Sequence, residues 1–444
     1  MTTDILGEDI FLFQCTFCYD FPQAMKKVLF MPNGIGLAHV GRLVSIAKEL
    51  KRYKVEIMFG GGSEAIVLIR REGFRFHKIS EFSREIYDEK IKNNNWFIYN
   101  RHNFLQFLKD ELALYRKVKP DLIVYDTKPT VRVSSKISGI PAVSITNVDA
   151  TGYYDYEKIA FPLETTFGRY LPKKMMSVLR REYGQRFLKI VGKRAIPLMI
   201  MTAMIRIIPA MIQLGYKPNK DPFQLFLGDL TLIADIPEFR PIKKLPNEVK
   251  IIGPVFWDGP TRLPKWHKKI DNNEDIIYVT ASGTGDKETF LRILKFLKGS
   301  PYTIAATTGN TLKPGEVDIK YENLLVTEYL PGDYILKRAK LIIFPGGNAT
   351  CYQALSYGVP QICTPFHVDQ EDNANQLERL GTGIIINPYK GFTSDKLLRK
   401  IIKIMKDDSF RKKAKKIREI ISRYNGARQG ASEINKILSG KTRL

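Results

Sequence analysis

The chain has 444 residues, and 70 Lys+Arg against 46 Asp+Glu leave a formal charge of 70 − 46 = +24. With 44% hydrophobic and 26% charged residues the composition is globular, which excludes whole-chain disorder. At roughly 100–200 residues per domain, the length predicts two or three domains, each with its own core. Cysteine usage excludes a disulfide scaffold: there are four, and Cys15 and Cys18 form a single CxxC where a structural metal site uses two such pairs. All four read as ordinary thiols in a reducing cytosol.

The start, MTTDILGEDIFLFQ, carries acids and no cationic lead into an apolar stretch, so no signal peptide is visible. MKKVLFMPNGIG, from Met25, reads like a chain start, and residues 1–24 are expected to be an extension without function. From there strands and helices alternate. Val28–Met31 is a continuous apolar strand, followed by the loop PNGIGLA and by HVGRLVSIAKELKRY, where Val40, Leu43, Val44, Ala47 and Leu50 repeat at helical spacing. Strands are predicted at Val55–Phe59, Leu122–Tyr125 and Ala142–Thr146, the first ending in Gly60-Gly61-Gly62. Strands separated by helices predict an α/β fold with an open parallel sheet covered on both faces.

Residues 151–220 break this rhythm with 13 Lys/Arg against 4 Asp/Glu, a net of 13 − 4 = +9, among Met and long apolar stretches. The longest apolar run, Ala195–Ile205, has 11 residues and is followed by Arg206, well short of the roughly 18 a spanning helix needs. Two readings stand: an interfacial segment whose apolar side chains enter a headgroup layer while Lys173, Lys174, Arg180, Arg181, Lys189, Lys193 and Arg194 meet anionic lipid, or domain helices whose apolar faces are core. No nucleic-acid module with interleaved aromatics appears, so nucleic acid is not expected as a partner.

β-like runs return in LTLIAD and VKIIGPVFW, and residues 256–274, with Gly259, Pro260 and Pro264 and no periodicity, are the predicted linker between a first domain over 25–255 and a second over 275–444. In the second half strands are predicted at Ile276–Ala281, 303–307, 324–330, 341–344, 361–365 and 384–387, with a helix at 289–298 and basic helices from Lys396 onward. The two halves share one architecture, two similar open-sheet domains facing each other.

The densest motif is LIIFPGGNATCYQALSYGVPQICTPFHVDQEDNANQLERLGTG, residues 341–383. A buried strand ends at Phe344; Pro345, Gly346 and Gly347 follow; Asn348 is the predicted N-cap of a helix over Ala349–Tyr357 closed by Gly358. Glycines between a parallel strand and a helix N-terminus admit a ligand to the backbone, and free first-turn N–H groups favour an anion. Asp369 and Gln370 open the next helix, where an acid and an amide can hydrogen-bond sugar hydroxyls; Asp369 alone reads equally as a helix cap.

This order resembles the signature of inverting UDP-glycosyltransferases of the two-domain GT-B fold, a group related also to lipid-linked N-acetylglucosaminyltransferases. Their pattern runs His-Gly-Gly-x-x-Ser-x-x-Glu, Gly-Val-Pro, Asp-Gln, Asn-Ala. Here Gly346, Gly347, Gly358-Val359-Pro360, Asp369-Gln370 and Asn373-Ala374 match, Thr350 takes the Ser place and Gln353 the Glu place. Pro345 stands where the family has His. The resemblance implies two facing Rossmann-like domains, the first on the acceptor side and the second binding a nucleoside diphosphate sugar, UDP by analogy. Backbone around Gly347, Asn348, Ala349 and Thr350 would hold the diphosphate, Gln353 the ribose, and Asp369 and Gln370 the sugar. Ser282, Gly283 and Thr284 resemble the family's Gly-Ser loop, and Tyr329 and Leu330 the segment where the base rests.

The chain has five histidines. His39 follows the first strand and Asp126 the LIVY strand, so in a parallel sheet both loops lie on one carboxyl edge. The family's first loop reads Gly-x-Gly-His, similar to GIGLAHVGR with Ala38 where Gly is usual, and its His pairs with an Asp after a Pro-Asp strand, similar to Pro120-Asp121…Asp126. By resemblance His39 is the general base and Asp126 its orienter, with Asp149 a second carboxylate candidate. No Asp-x-Asp follows a strand end, so no metal and no cofactor is expected. The expected activity is sugar transfer with inversion to a hydroxyl, on a lipid or lipid-linked acceptor, in the cytoplasm or peripherally at the cytoplasmic face of a membrane. A nucleotide-sugar 2-epimerase of the same fold and a non-catalytic nucleotide-sugar or membrane-binding subunit are the alternatives.

Overall fold

The computed structural model describes residues 25–442, apart from 35, 84, 87–97, 166–170, 258, 260, 261, 272–274, 284, 310 and 390, and without the side chains of 63, 64, 173 and 193–196. The N-terminal extension with Cys15 and Cys18, and Thr284 of the expected donor loop, lie outside the described residues.

Apolar runs bounded by turns fold into buried strands. In the first half these are β1 (Lys27–Met31), β2 (Glu56–Gly61), β3 (Arg75–Lys78), β4 (Leu122–Asp126), β5 (Ala142–Thr146), β6 (Leu230–Ile233) and β7 (Val249–Ile251). They pair in parallel in the order β3-β2-β1-β4-β5-β6-β7. Side chains of β1 alternate between two cores. Val28 and Phe30 join Val40, Leu43, Val44 and Ala47 of the Leu37–Leu50 helix, whereas Leu29 and Met31 face Leu112, Tyr115 and Val118 of the Arg101–Val118 helix. Burial on both faces is why these strands read as unbroken apolar runs. β3, a polar edge strand reading RFHK, has no such run, and the sequence does not predict it.

The second sheet comprises β8 (Ile276–Thr280), β9 (Thr303–Thr307), β10 (Leu324–Thr327), β11 (Ala339–Phe344), β12 (Gln361–Cys363) and β13 (Gly383–Ile385), parallel throughout in the order β10-β9-β8-β11-β12-β13. Ile276 and Tyr278 turn to one core, Ile277 and Val279 to the other.

The two lobes exchange pieces. The sequence assigns all the C-terminal helices to the second unit, and Leu397, Ile401, Ile417 and Ile421 do pack there. The last helix, Gly426–Leu438, instead buries Ala431 and Ile434 in the first core beside Ile46 and Ile252. Its apolar stripe finds an open face on the Leu37–Leu50 helix, and Gly253 (φ +75°) lets the connection pass Tyr424, whose ring lies 2.5 Å from where a Cβ would stand. In return, Ile236 and Phe239, just after β6, lie fully buried in the second core.

Each sheet reverses its strand order once, between β1 and β4 and between β8 and β11. Loops leaving the carboxyl ends of such strands diverge and open a crevice, the standard ligand position in open parallel sheets.

Candidate active site

At the first reversal, β1 runs into a loop and the Leu37–Leu50 helix, whose first turn carries His39, while Asp126 is the last residue of β4. Met31 and Tyr125 are register partners, so the two loops start side by side. His39 Nδ1 lies 2.8 Å from Asp126 Oδ1, joining two residues 87 positions apart. Asp126 is fully buried, and the Thr127 hydroxyl donates to the same oxygen at 2.9 Å. Burial pushes the Asp126 carboxyl up, but the charges of Arg42 and His39 and the hydrogen bonds from His39 and Thr127 outweigh it, holding the group below the ordinary carboxylate value. A carboxylate only accepts, so the proton sits on His39 Nδ1 and leaves Nε2 as an acceptor on a side chain that is 30% exposed. Asp149, the second carboxylate candidate, is engaged elsewhere, with Arg240 Nη1 at 2.6 Å.

At the second reversal the Gly-Gly turn follows β11. Gly346 has φ +106°, and a Cβ there would stand 2.8 Å from the Gln370 carbonyl oxygen, so only glycine fits. Gly347 is the N-cap of the Asn348–Ser356 helix, in place of the expected Asn348, and no side chain caps that helix. The first-turn N–H groups are thus free for a ligand, and Gly347 faces open space. Asn348 is the first helical residue, and its Oδ1 lies 3.5 Å from Asn147 Nδ2 of the first lobe. Ala349 is exposed and Thr350 half-buried in the same turn. From β8, Ser282 adopts φ +56° and Gly283 faces open space, and Pro345 borders the next glycine of that loop, Gly285.

Other expected donor residues are placed unevenly. Half-buried Gln353 lies against Gly332, and half-buried Tyr329 places its hydroxyl beside Gly259. Leu330 is core. Asp369 is half-buried and pairs with His367. Gln370 is fully buried, and its Oε1 accepts from Phe366 N at 2.9 Å, so it braces the loop that presents Asp369.

Sequence reasoning missed the groups that join the two edges. Arg42, one turn beyond His39, donates through Nη2 to Asn147 Oδ1 at 2.9 Å. Asn147 Nδ2 donates to Asp235 Oδ1 at 2.9 Å, and that oxygen also accepts from the Tyr352 hydroxyl at 3.0 Å. A second bridge runs from Arg240, 1% exposed, to Asn373 Oδ1 at 2.7 Å and toward Asp372 at 3.7 Å. Tyr154 donates to Asp372 Oδ2 at 2.8 Å. Glu371 accepts from the Glu164 and Thr165 amides at 2.9 and 2.7 Å, tying the basic insertion to the Val368–Leu380 helix. The usable signal was a polar residue closing a buried strand: Asn147 after AVSIT and Asp235 in LTLIAD repeat the pattern of Asp126 after LIVY.

Comparison with known proteins agrees with this architecture. Residues 312–432 match the family described as erythromycin biosynthesis protein CIII-like, C-terminal domain. A PGL/p-HBAD biosynthesis glycosyltransferase of Mycobacterium tuberculosis (strain H37Ra) is 29% identical over 399 residues, 89% of this chain and 88% of that protein. The chain has the GT-B fold. Like it, a PGL/p-HBAD biosynthesis rhamnosyltransferase of Mycobacterium bovis (strain BCG) aligns over 407 residues at 26% identity, covering 90% and 85% of the two chains. The fold superposes on glycosyltransferase VinC, crystallised in complex with DTDP, with a TM-score of 0.66 at 16% identity over 93% of this chain and 99% of that one.

Proposed function

We propose that the chain transfers a sugar from a nucleoside diphosphate sugar to a hydroxyl, with inversion, using His39 as general base. The observation that carries this reading is the 2.8 Å His39–Asp126 pair at the first switch point, facing a glycine turn and an uncapped helix at the second, with Asn147 and Asn348 meeting between them. The acceptor oxygen attacks the anomeric carbon as the bond to the diphosphate breaks, and its proton passes to His39 Nε2. Asp126 holds the tautomer and stabilises the imidazolium. The N–H groups of Asn348, Ala349 and Thr350 receive the departing charge, so in this reading no metal ion is required. Gln353 and Asp369 take the ribose and sugar hydroxyls. The nucleotide is UDP by motif, while the DTDP held by VinC supports thymidine, so both enter the test. Incubation with UDP-glucose or dTDP-rhamnose and a lipid acceptor bearing a free hydroxyl should give a glycoside of inverted anomeric configuration. An epimerised donor formed without acceptor would instead support the 2-epimerase.

The acceptor is lipid or lipid-linked in this reading, and the insertion supports docking on an anionic bilayer. The Glu182–Ile205 helix exposes Tyr183, Phe187, Ile190, Leu198, Met201 and Ile205 along one stripe, Phe187 at 60% and Ile190 at 63%, beside Arg186 and Lys189. No helix among the described residues is long and apolar enough to cross a membrane. The protein should sediment with phosphatidylglycerol vesicles at low salt and not with neutral ones, and the double change Phe187→Glu and Ile190→Glu should release it. Equal recovery on both vesicle types would remove the docking surface.

A further inference from the structure

Arg42 is a long cationic side chain that is only 6% exposed. It stands on the helix that carries His39 and splits its guanidinium between two tasks. Nη1 lies 3.5 Å from Asp126 Oδ2, the carboxylate oxygen that His39 does not use, and Nη2 holds Asn147. Asn147 in turn reaches Asp235 and Asn348, and Asp235 Oδ2 accepts from the Val148 amide at 2.7 Å while its other oxygen meets Tyr352. Asn348 and Tyr352 both belong to the Asn348–Ser356 helix. Arg42 also lines, with Asn348, Ala349 and Tyr352, a cavity of about 20 Å3 between the lobes, room for one water. A planar, permanently charged fork suits this double contact, and a single ammonium cannot reproduce it.

We propose that Arg42 is a positioning residue that ties the His39–Asp126 pair of the first lobe to the donor helix of the second, through Asn147, so that base and donor site are assembled together. The proposal rests on the transferase reading for its kinetic consequences, but not for its electrostatic one. Among the described residues, the charged groups contacting Asp126 are His39 and Arg42, both from the Leu37–Leu50 helix. Thr127 faces it from the loop after β4, and Asp235 faces Asn147 from the end of β6.

The test compares Arg42→Ala, Arg42→Lys and Asn147→Ala in the full chain. The readouts are NMR titration of the His39 imidazole, assigned with His39→Gln, and the pH profile of kcat/KM with UDP-glucose and dTDP-rhamnose. Removing a cation beside Asp126 leaves the carboxylate freer to stabilise an imidazolium, so Arg42→Ala should move the His39 midpoint and the acid limb upward. Arg42→Lys keeps the charge and should keep the midpoint, yet, like Asn147→Ala, it should raise the donor KM by about tenfold or more through the lost charged hydrogen bond. A merely structural arginine would lower the amount of folded protein and leave the midpoint in place. An unmoved His39 midpoint in Arg42→Ala, or an unchanged donor KM in both other variants, overturns the proposal. Should Arg42→Ala not fold, the lysine and Asn147 variants decide it. A wild-type protein without turnover would count against the transferase reading, and the NMR comparison would still judge Arg42.

Discussion

The two switch points occupy the same place in two sheets of one topology, yet they are built oppositely. The β1/β4 edge is charged and closed: a fully buried carboxylate held by a histidine, an arginine and a threonine. The β8/β11 edge is open and, among the described residues, presents glycines and first-turn main-chain amides. Topology therefore supplies the crevice twice, and in the proposed reading side chains suit one crevice to a proton and the other to an anion.

The largest expected effect breaks the charged edge alone. His39→Ala should lower kcat by about 10²–10⁴-fold with the fold retained, since this half-exposed ring supports little packing. Initial rates with the donor that binds, together with a thermal melt, check it, and an unchanged rate removes His39 as the base. At the open edge, two neighbouring glycines should respond differently. Gly346→Ala meets a carbonyl at 2.8 Å in a left-handed backbone and should cost about 2–3 kcal/mol of stability. Gly347→Ala points into open space, should cost under about 1 kcal/mol, and should weaken donor binding by about tenfold in calorimetry. If both changes act alike, the turn is structural and not a ligand cradle.

A further prediction concerns what joins the edges. Burial pushes the Asp372 carboxyl, which faces Arg240 and Tyr154 across the lobe boundary, up to about 6 despite the Arg240 charge. A raised carboxyl favours the protonated folded state, so its contribution is full below about pH 4 and is lost as pH rises through 6, on the order of 3 kcal/mol. Asp372→Asn should cancel that slope. Urea unfolding of both forms from pH 4 to 7 measures the difference, and parallel curves would show that Asp372 does not titrate in this range.

Much of this was legible in the chain. Buried parallel strands announce themselves because both faces are apolar, and the Gly346-Gly347 turn because at Gly346 only glycine tolerates the backbone. His39 and Asp126 were legible as strand-end polar groups, with the resemblance giving them roles. Arg42 was not, because within LAHVGRLVSIAKEL it looks like any surface arginine on an amphipathic helix, and its burial depends on Asp126 and Asn147, respectively 84 and 105 positions away. Gln370 shows a second kind of gap: its place in the motif suggests a ligand contact, while its burial and the hydrogen bond its Oε1 accepts from Phe366 N come from the fold.

By itself, the order of residues determined the alternation of strands and helices, the two parallel sheets and the glycine turn, because periodicity and backbone freedom are local properties. Only the tertiary structure decided which lobe received the last helix, which carboxylate met His39, and how Arg42 and Arg240 span the boundary. Those outcomes depend on pairing distant buried charges and apolar faces, whose energies exist only once the chain has closed on itself.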